Sequence, residues 1–370
     1  MTEPRRGLRA TAPPRNLLIL SAALLVALVG TGSAAARTDP ERTRLDSPRL
    51  GEIARGPAYI ADSTLAAAPS RAGYWGGPTL ASTGEMVTIY VSDLYPQNAA
   101  TAQRWADFLA SLVHGPELSR LTAYLAPLQQ VQSVCGADAL ACYSPGGESL
   151  VAPGDDPAAD TSAEAVVAHE YGHHVAANRS DAPWSAEDYG TKRWASYTQV
   201  CAKTRAGHLF PGAETEPHYR LNPGEAFAES YRVLNERLAG RTETAWNVVS
   251  STLYPDSTAL AAVQQDVTTP WTGATVSRAS GALGTRVRSR TVAVATPLDG
   301  TLRVTLRAPA RSRFGLSLRA PSGGSLGRAT TTAAVRTRTV MATVCGSRNV
   351  SLRVSRISGA GTYRLTIARP

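Results

Sequence analysis

AEAVVAHEYGHHVAANR, residues 163–179, sets four ionisable side chains in six positions: His169, Glu170, His173 and His174. Just upstream, Thr161 and Glu164 form a T-x-x-E capping box, which starts a helix there. Ala165, Val166, Val167 and Ala168 carry it forward without a breaker. His169 and His173, at i and i+4, then share one helical face, about 6 Å apart along the axis. Two imidazole nitrogens so placed can meet one divalent ion at about 2.0–2.1 Å. Glu170 follows the first of them and reaches toward a water on that ion rather than the ion itself. His174 lies about 100° round the helix from His173 and reads as a packed or hydrogen-bonded histidine. Tyr171 and Val175 read as core.

A metal that does chemistry needs a third protein ligand and an open position. A Gly and a third His soon after His173 would complete one arrangement, but Ala176 and Arg179 stand there. A G-T-x-x-D sequence from Gly190-Thr191 would complete another, but Trp194 occupies the Asp position. What remains is RLNPGEAFAESYRVLNERLAG, residues 220–240, a helix capped by Asn222, with Pro223 in its first turn and Gly240 ending it. Glu225 and Glu229 lie at i and i+4 on one face of it. The residues alone leave two orders open: Glu225 as ligand with Glu229 behind it, or Glu229 as ligand with Glu225 capping the helix at N3.

With HEYGHH (His169-Glu170-Tyr171-Gly172-His173-His174) and the distant NPGEAFAES, the chain resembles the gluzincin class of zinc metallopeptidases, HExxH paired with a distal ExxxE helix. It is similar to the subset that includes the anthrax lethal factor-like peptidases, and to secreted bacterial peptidases. The likeness covers residues 163–232. It implies a Zn2+ cofactor and an α+β zincin-like catalytic domain, mainly helical with a small sheet. It implies Glu225 as third ligand and Glu229 as its supporting partner. The implied reaction is peptide-bond hydrolysis, with Glu170 as general base toward a water whose pKa zinc lowers to about 7. The family also carries a Tyr upstream of the ligand that steadies the oxyanion. Tyr219 is the nearest match, with His218 able to serve instead and His208 a weaker candidate. The rival reading is a non-catalytic secreted binding protein with a structural zinc site. Such a closed site needs a fourth protein ligand, for which His174 is poorly placed, and it has no use for Glu170.

Around this segment the chain divides into parts. MVTIYVSD, residues 86–93, reads as a strand, and residues 99–114 as an amphipathic helix through Trp105, Phe108, Leu109, Leu112 and Val113. A second helical stretch is expected over about 118–134, a short strand over 148–156, and helices over about 194–205 and up to about 265. Beyond Gly273, RTVAVA, TLRVTLRA, FGLSLRA, VRTRTVMATV, NVSLRVSR and TYRLTIAR alternate apolar and polar residues between turn signals, the pattern of an antiparallel β-sandwich. Through TPLDGTLRVTL and SGAGTYRLTIARP this part resembles the prepeptidase C-terminal type of sandwich. The expected organisation is a signal peptide over 1–36, an N-terminal segment or propeptide over 37–85, the catalytic domain over 86–273 and the Arg-rich sandwich over 274–370.

The first 36 residues carry Arg5, Arg6, Arg9 and Arg15, then an apolar run over 17–29 too short for a comfortable span, then Ala34-Ala35-Ala36. This predicts a cleaved leader and a secreted, extracellular protein; an uncut signal anchor is the minor alternative. Export permits disulfides. Cys135 and Cys142 are close enough for a local bridge, which leaves Cys201 for Cys345. The net charge of +9 conceals an asymmetry: residues 275–370 hold 17 Arg, no Lys and a single acid, Asp299, while residues 37–274 hold 17 basic and 27 acidic residues. The C-terminal arginines suit either a solvated face or an anionic cell-surface polymer. Nucleic acid is disfavoured, since no aromatic residues interleave for base stacking. The other expected partner is the protein or peptide substrate.

Overall fold

A computed structural model describes residues 72–346 and 348–370. The expected leader and residues 37–71 of the expected N-terminal segment lie outside the described residues. The sheet of the first part has five strands: β1 (Tyr74–Leu80), β2 (Met86–Ser92), β3 (Thr122–Ala126), β4 (Cys142–Ser144) and β5 (Ser149–Pro153). Their order is β1-β2-β3-β5-β4. The pairs β2/β3 and β3/β5 are parallel, and both edge strands are antiparallel. The sheet thus takes its first strand from within the 37–85 segment.

The helices of this part are α1 (Ala99–Ser111), α2 (Leu128–Cys135), α3 (Ala163–Ala177), α4 (Ala186–Tyr189), α5 (Lys192–Tyr197), α6 (Val200–Arg205), α7 (Pro223–Leu238) and α8 (Ser257–Thr268). Two expectations are corrected here. The helix expected over 118–134 is instead a 3-10 turn (Pro116–Arg120), then β3, then α2. Pro127 bars a continuous helix, and TAYLA is drawn into the sheet centre between two parallel neighbours. The helix expected over 194–205 is two short ones, parted at Gln199, whose φ of 60° no helix accommodates.

Helix α3 packs on β5 on one side and α7 on the other. Its N-cap is Ser162, whose hydroxyl accepts from the Ala165 N–H at 3.1 Å; the Thr161 hydroxyl turns to Asp160 instead. Residues 165–176 of α3 are all buried, so no face of it meets water. Such a helix is apolar all round unless its polar groups are paired. Helix α7 begins as the sequence predicts, with the Asn222 side chain accepting from the Gly224 N–H at 2.9 Å and Pro223 in the first turn.

The second part is two four-stranded antiparallel sheets. One is β10-β9-β12-β7, the other β11-β8-β13-β6, from β6 (Thr275–Leu283), β7 (Ser289–Ala295), β8 (Gly300–Arg307), β9 (Arg313–Arg319), β10 (Ser325–Thr330), β11 (Thr337–Val344), β12 (Asn349–Ser358) and β13 (Gly361–Arg369). Alternate residues of both, such as Leu302, Val304 and Leu306 on β8 and Leu316 and Leu318 on β9, enter one shared hydrophobic cluster.

The two parts meet at α5 and α6. The Asp299 N–H donates to Ser196 Oγ at 2.9 Å, and Arg348 donates to the Ser196 carbonyl at 2.7 Å and to Asp299 Oδ1 at 3.0 Å. Gly300, at φ +139°, leaves room for the buried Lys192 ammonium, which a Cβ there would approach to 3.0 Å. Lys192 donates to Asp181 Oδ1 at 3.0 Å and to the Ala182 carbonyl at 2.8 Å. Disulfides join Cys135 to Cys142 and Cys201 to Cys345. Among the described residues no helix is long and apolar enough to cross a membrane. The Cys201–Cys345 bridge links residues 144 apart, and replacing both by Ser is expected to lower stability by about 2–5 kcal/mol in urea titration. A loss below about 1 kcal/mol would assign the junction to its hydrogen bonds alone.

Candidate metal centre

The site exists because two buried helices come unusually close. A Cβ on Gly172 of α3 would stand 2.8 Å from Ala228 Cα and 3.0 Å from its carbonyl oxygen. A residue without a Cβ at 172, facing a small side chain at 228, permits this approach. On either side of that contact, the functional groups face each other. His169 Nε2 lies 3.3 Å from Glu225 Oε2, His173 Nε2 lies 3.5 Å from Glu225 Oε1, and the two Nε2 atoms are 3.2 Å apart. One ligand atom from each of His169, His173 and Glu225 falls within 4.8 Å of the others, and all three residues are buried. This is the one such group of three or more among the described residues.

The donor chemistry fits a cation. Two imidazole nitrogens and a carboxylate converge on one buried point, a donor set that suits a divalent cation. The Nδ1 of His169 faces Glu229 Oε2 at 3.3 Å. Nδ1–H donating to that carboxylate leaves the Nε2 lone pair directed at the shared centre. Glu229 is held in turn by Arg232, through Nε at 2.5 Å and Nη2 at 3.3 Å. Arg232 also donates to Glu236 at 2.7 Å, and Glu236 accepts from the Thr244 N–H and hydroxyl. Burial opposes the charge on Glu229, but Arg232 and His169 outweigh it and hold the carboxyl well below its usual range. Burial likewise opposes charge on His169, yet the Glu225 and Glu229 carboxylates raise its affinity for a proton well above normal.

His174 is occupied elsewhere. Its Nε2–H donates to the Glu117 carbonyl at 2.9 Å, and its Nδ1 accepts from the Tyr143 hydroxyl at 2.9 Å. Burial lowers its pKa, in keeping with a neutral ring in that pair of bonds. Glu170 is buried beside His169 and, with it, lines a cavity of about 50 Å³ walled by Leu140, Val166 and Val248. Tyr219 is buried, and its hydroxyl donates to Glu225 Oε2 at 3.0 Å. His218 does not join the group: it is exposed, its ring stacked on Phe210 at 3.7 Å. His208 is half-buried in the turn after α6, and its side chain makes no hydrogen bond or ion pair among the described residues.

Sequence reasoning missed Arg232 and Glu236, although the signal was present. Residues 225, 229, 232 and 236 recur at i, i+4, i+7 and i+11, a single charged stripe along α7. It also read past Gly172, whose role is contact rather than flexibility.

No family model matches the chain, and no curated protein matches it. Among solved structures, a periplasmic lysozyme inhibitor of g-type lysozyme from Aeromonas hydrophila is similar over 26% of this chain and 87% of its own, at 11% identity and a TM-score of 0.20. A likeness at that level carries no argument about fold or function.

Enlarging residue 172 should part the helices. Gly172→Ala is expected to cost about 1–3 kcal/mol of stability and to weaken metal binding by about tenfold or more, read by competition with a chelating dye. Glu229→Ala, which frees His169 Nδ1, should weaken it by about 10–100-fold. Unaltered affinity in both variants would place the metal elsewhere.

Proposed function

We propose that the chain is a secreted zinc-dependent peptidase of gluzincin type, with a zincin-like catalytic domain followed by a β-sandwich. The observation that carries the reading is the meeting of His169, His173 and Glu225 from two separate helices, with Glu170 next to the first of them. Two imidazoles and a carboxylate suit zinc better than a hard cation, which prefers an all-oxygen set. Three protein ligands also leave a position open. His174, the remaining nearby imidazole, is committed to Tyr143 and Glu117, which favours the peptidase over a closed structural site. The two disulfides accord with an oxidising compartment.

His169, His173 and Glu225 would hold the zinc, which would supply Lewis acidity to the scissile carbonyl and the attacking water. The rest is the work of the chain's own groups. Glu170 takes the proton from the water and then returns it to the leaving amine. Tyr219, whose hydroxyl rests on Glu225 Oε2, can turn its O–H to the oxyanion as negative charge develops on the former carbonyl oxygen. Glu229 fixes the tautomer and ring plane of His169, and Arg232 keeps Glu229 ionised. Gly172 sets the separation of the two helices on which all of these stand.

Two substitutions separate these roles. Glu170→Gln should retain one zinc per chain by metal analysis while hydrolysis of a peptide library falls by about 10²–10⁴-fold. Undiminished hydrolysis would defeat the mechanism. Tyr219→Phe should lower kcat by about 10²-fold with KM nearly unchanged; a rise in KM alone would make Tyr219 a binding group.

A further inference from the structure

The sheet β11-β8-β13-β6 turns one face to the shared core and the other outward, and its register sorts the outward residues into rows. Across β13 and β8, Arg364 stands opposite Arg307, with Ser280 and Thr337 at the two ends of that row. In the next row Thr366 stands opposite Thr305, flanked by Arg278 and Thr339. Arg303 stands in the row beyond, beside Ala368. Opposed residues on neighbouring strands lie about 5 Å apart, and successive outward residues about 6.8 Å apart along a strand. The result is an alternating grid of guanidinium and hydroxyl groups. Arg278, Arg307, Arg364 and the neighbouring Arg336 line a groove of about 920 Å³ on this face.

The grid is uncompensated. Like charges directly opposite each other destabilise a sheet, yet Arg364 and Arg307 are so placed. Asp299, the single acid of residues 275–370, is buried at the junction, accepting from Arg348 and from the Gly346 N–H. Among the described residues none of Arg278, Arg303, Arg307, Arg336 and Arg364 has a carboxylate partner. Guanidinium forks bind phosphate oxygens two at a time, and hydroxyls between them donate to the rest. None of the residues in these rows is aromatic, so nothing there stacks a base.

We propose that this face is a binding surface for a linear, base-free phosphate polymer, a polyphosphodiester or polyphosphate chain laid along the groove, and that it holds the protein on an anionic surface. The inference does not rest on the peptidase reading. End-labelled inorganic polyphosphate and poly(glycerol phosphate), titrated against the full-length chain, provide the test. Both should bind, with affinity falling about 50-fold between roughly 50 and 200 mM salt, the slope of about −3 expected for four neutralised phosphates on a single strand. The triple variant Arg278→Gln, Arg307→Gln, Arg364→Gln should lose at least about tenfold. Its melting temperature should be unchanged or higher, since the Arg364–Arg307 repulsion is relieved. The triple variant Arg319→Gln, Arg328→Gln, Arg353→Gln, which removes the same charge from the other sheet, should lose less than about threefold. Equal losses in the two variants would reduce the effect to net charge and overturn the proposal. So would absence of binding at low salt, binding of poly-dT tighter than that of the base-free polymers, or equally tight binding of polyglutamate at matched charge.

Discussion

The contact between Gly172 and Ala228 governs the first part of the molecule. With backbone this close to backbone, His169 and His173, three residues before Gly172 and one after it, meet Glu225 and Glu229, which hold the same places about Ala228. A Cβ at 172 would meet the Ala228 backbone at 2.8–3.0 Å, so a larger residue there has to shift the helices that carry the imidazoles and the Glu225 carboxylate. The sheet contributes by fixing α3: β5 lies against it, and β5 is itself held between β3 and β4. Geometry at the cluster is therefore inherited from the packing of buried apolar surface rather than from flexible loops, which is how preorganised sites keep their precision.

Placing ionisable groups on a fully buried helix is destabilising unless each has a partner. The stripe along α7 supplies those partners in sequence. Glu225 and Glu229 face the two nitrogens of His169, Arg232 neutralises Glu229, and Glu236 takes the remaining arm of Arg232. The alternation of sign keeps each added charge from being left alone in a medium of low polarity. It also explains why Glu225 and Glu229, identical in chemistry and four residues apart, differ in position. Arg232 lies beside Glu229 and withdraws it from the shared centre, while Glu225 is left to face both imidazoles.

Much of this was legible in the residues. The i, i+4 spacing of the two histidines and of the two glutamates, the Asn222-Pro223 start of α7 and the period-two texture after Gly273 all announce their structure through local physics. The central strand did not. TAYLA is buried on both faces, so it shows no alternation, and a short apolar run of that kind is indistinguishable from a helix segment by periodicity. Edge strand β1 was hidden by Gly76, Gly77 and Pro78, residues that normally mark turns. Gly76, at φ +105°, is required because a Cβ there would strike the Ile89 carbonyl at 2.4 Å, and Pro78 is tolerated because the strand lies at an edge. Strands β6 and β10 escaped notice for a related reason: both are edge strands, largely exposed, with little apolar periodicity to read. The stacking of His218 on Phe210, which separates it from Tyr219, depends on a loop conformation that no sequence pattern specifies.

The charge asymmetry of the chain has a structural counterpart at the junction. Asp299 is placed where it accepts from Arg348 and Gly346 while its own N–H meets Ser196 of α5. The one carboxylate side chain of the two-sheet part is thus consumed in attaching that part to the helical one. Every other arginine beyond Gly273 must be accommodated without an acidic side chain from its own part, and the alternation of the strands makes this possible. Aliphatic residues turn inward to the common core, while arginine stems lie over the sheets and their heads remain in water. A fold stabilised from its interior can carry a strongly cationic exterior, because the repulsion between exposed charges is screened over about 8–10 Å in physiological salt.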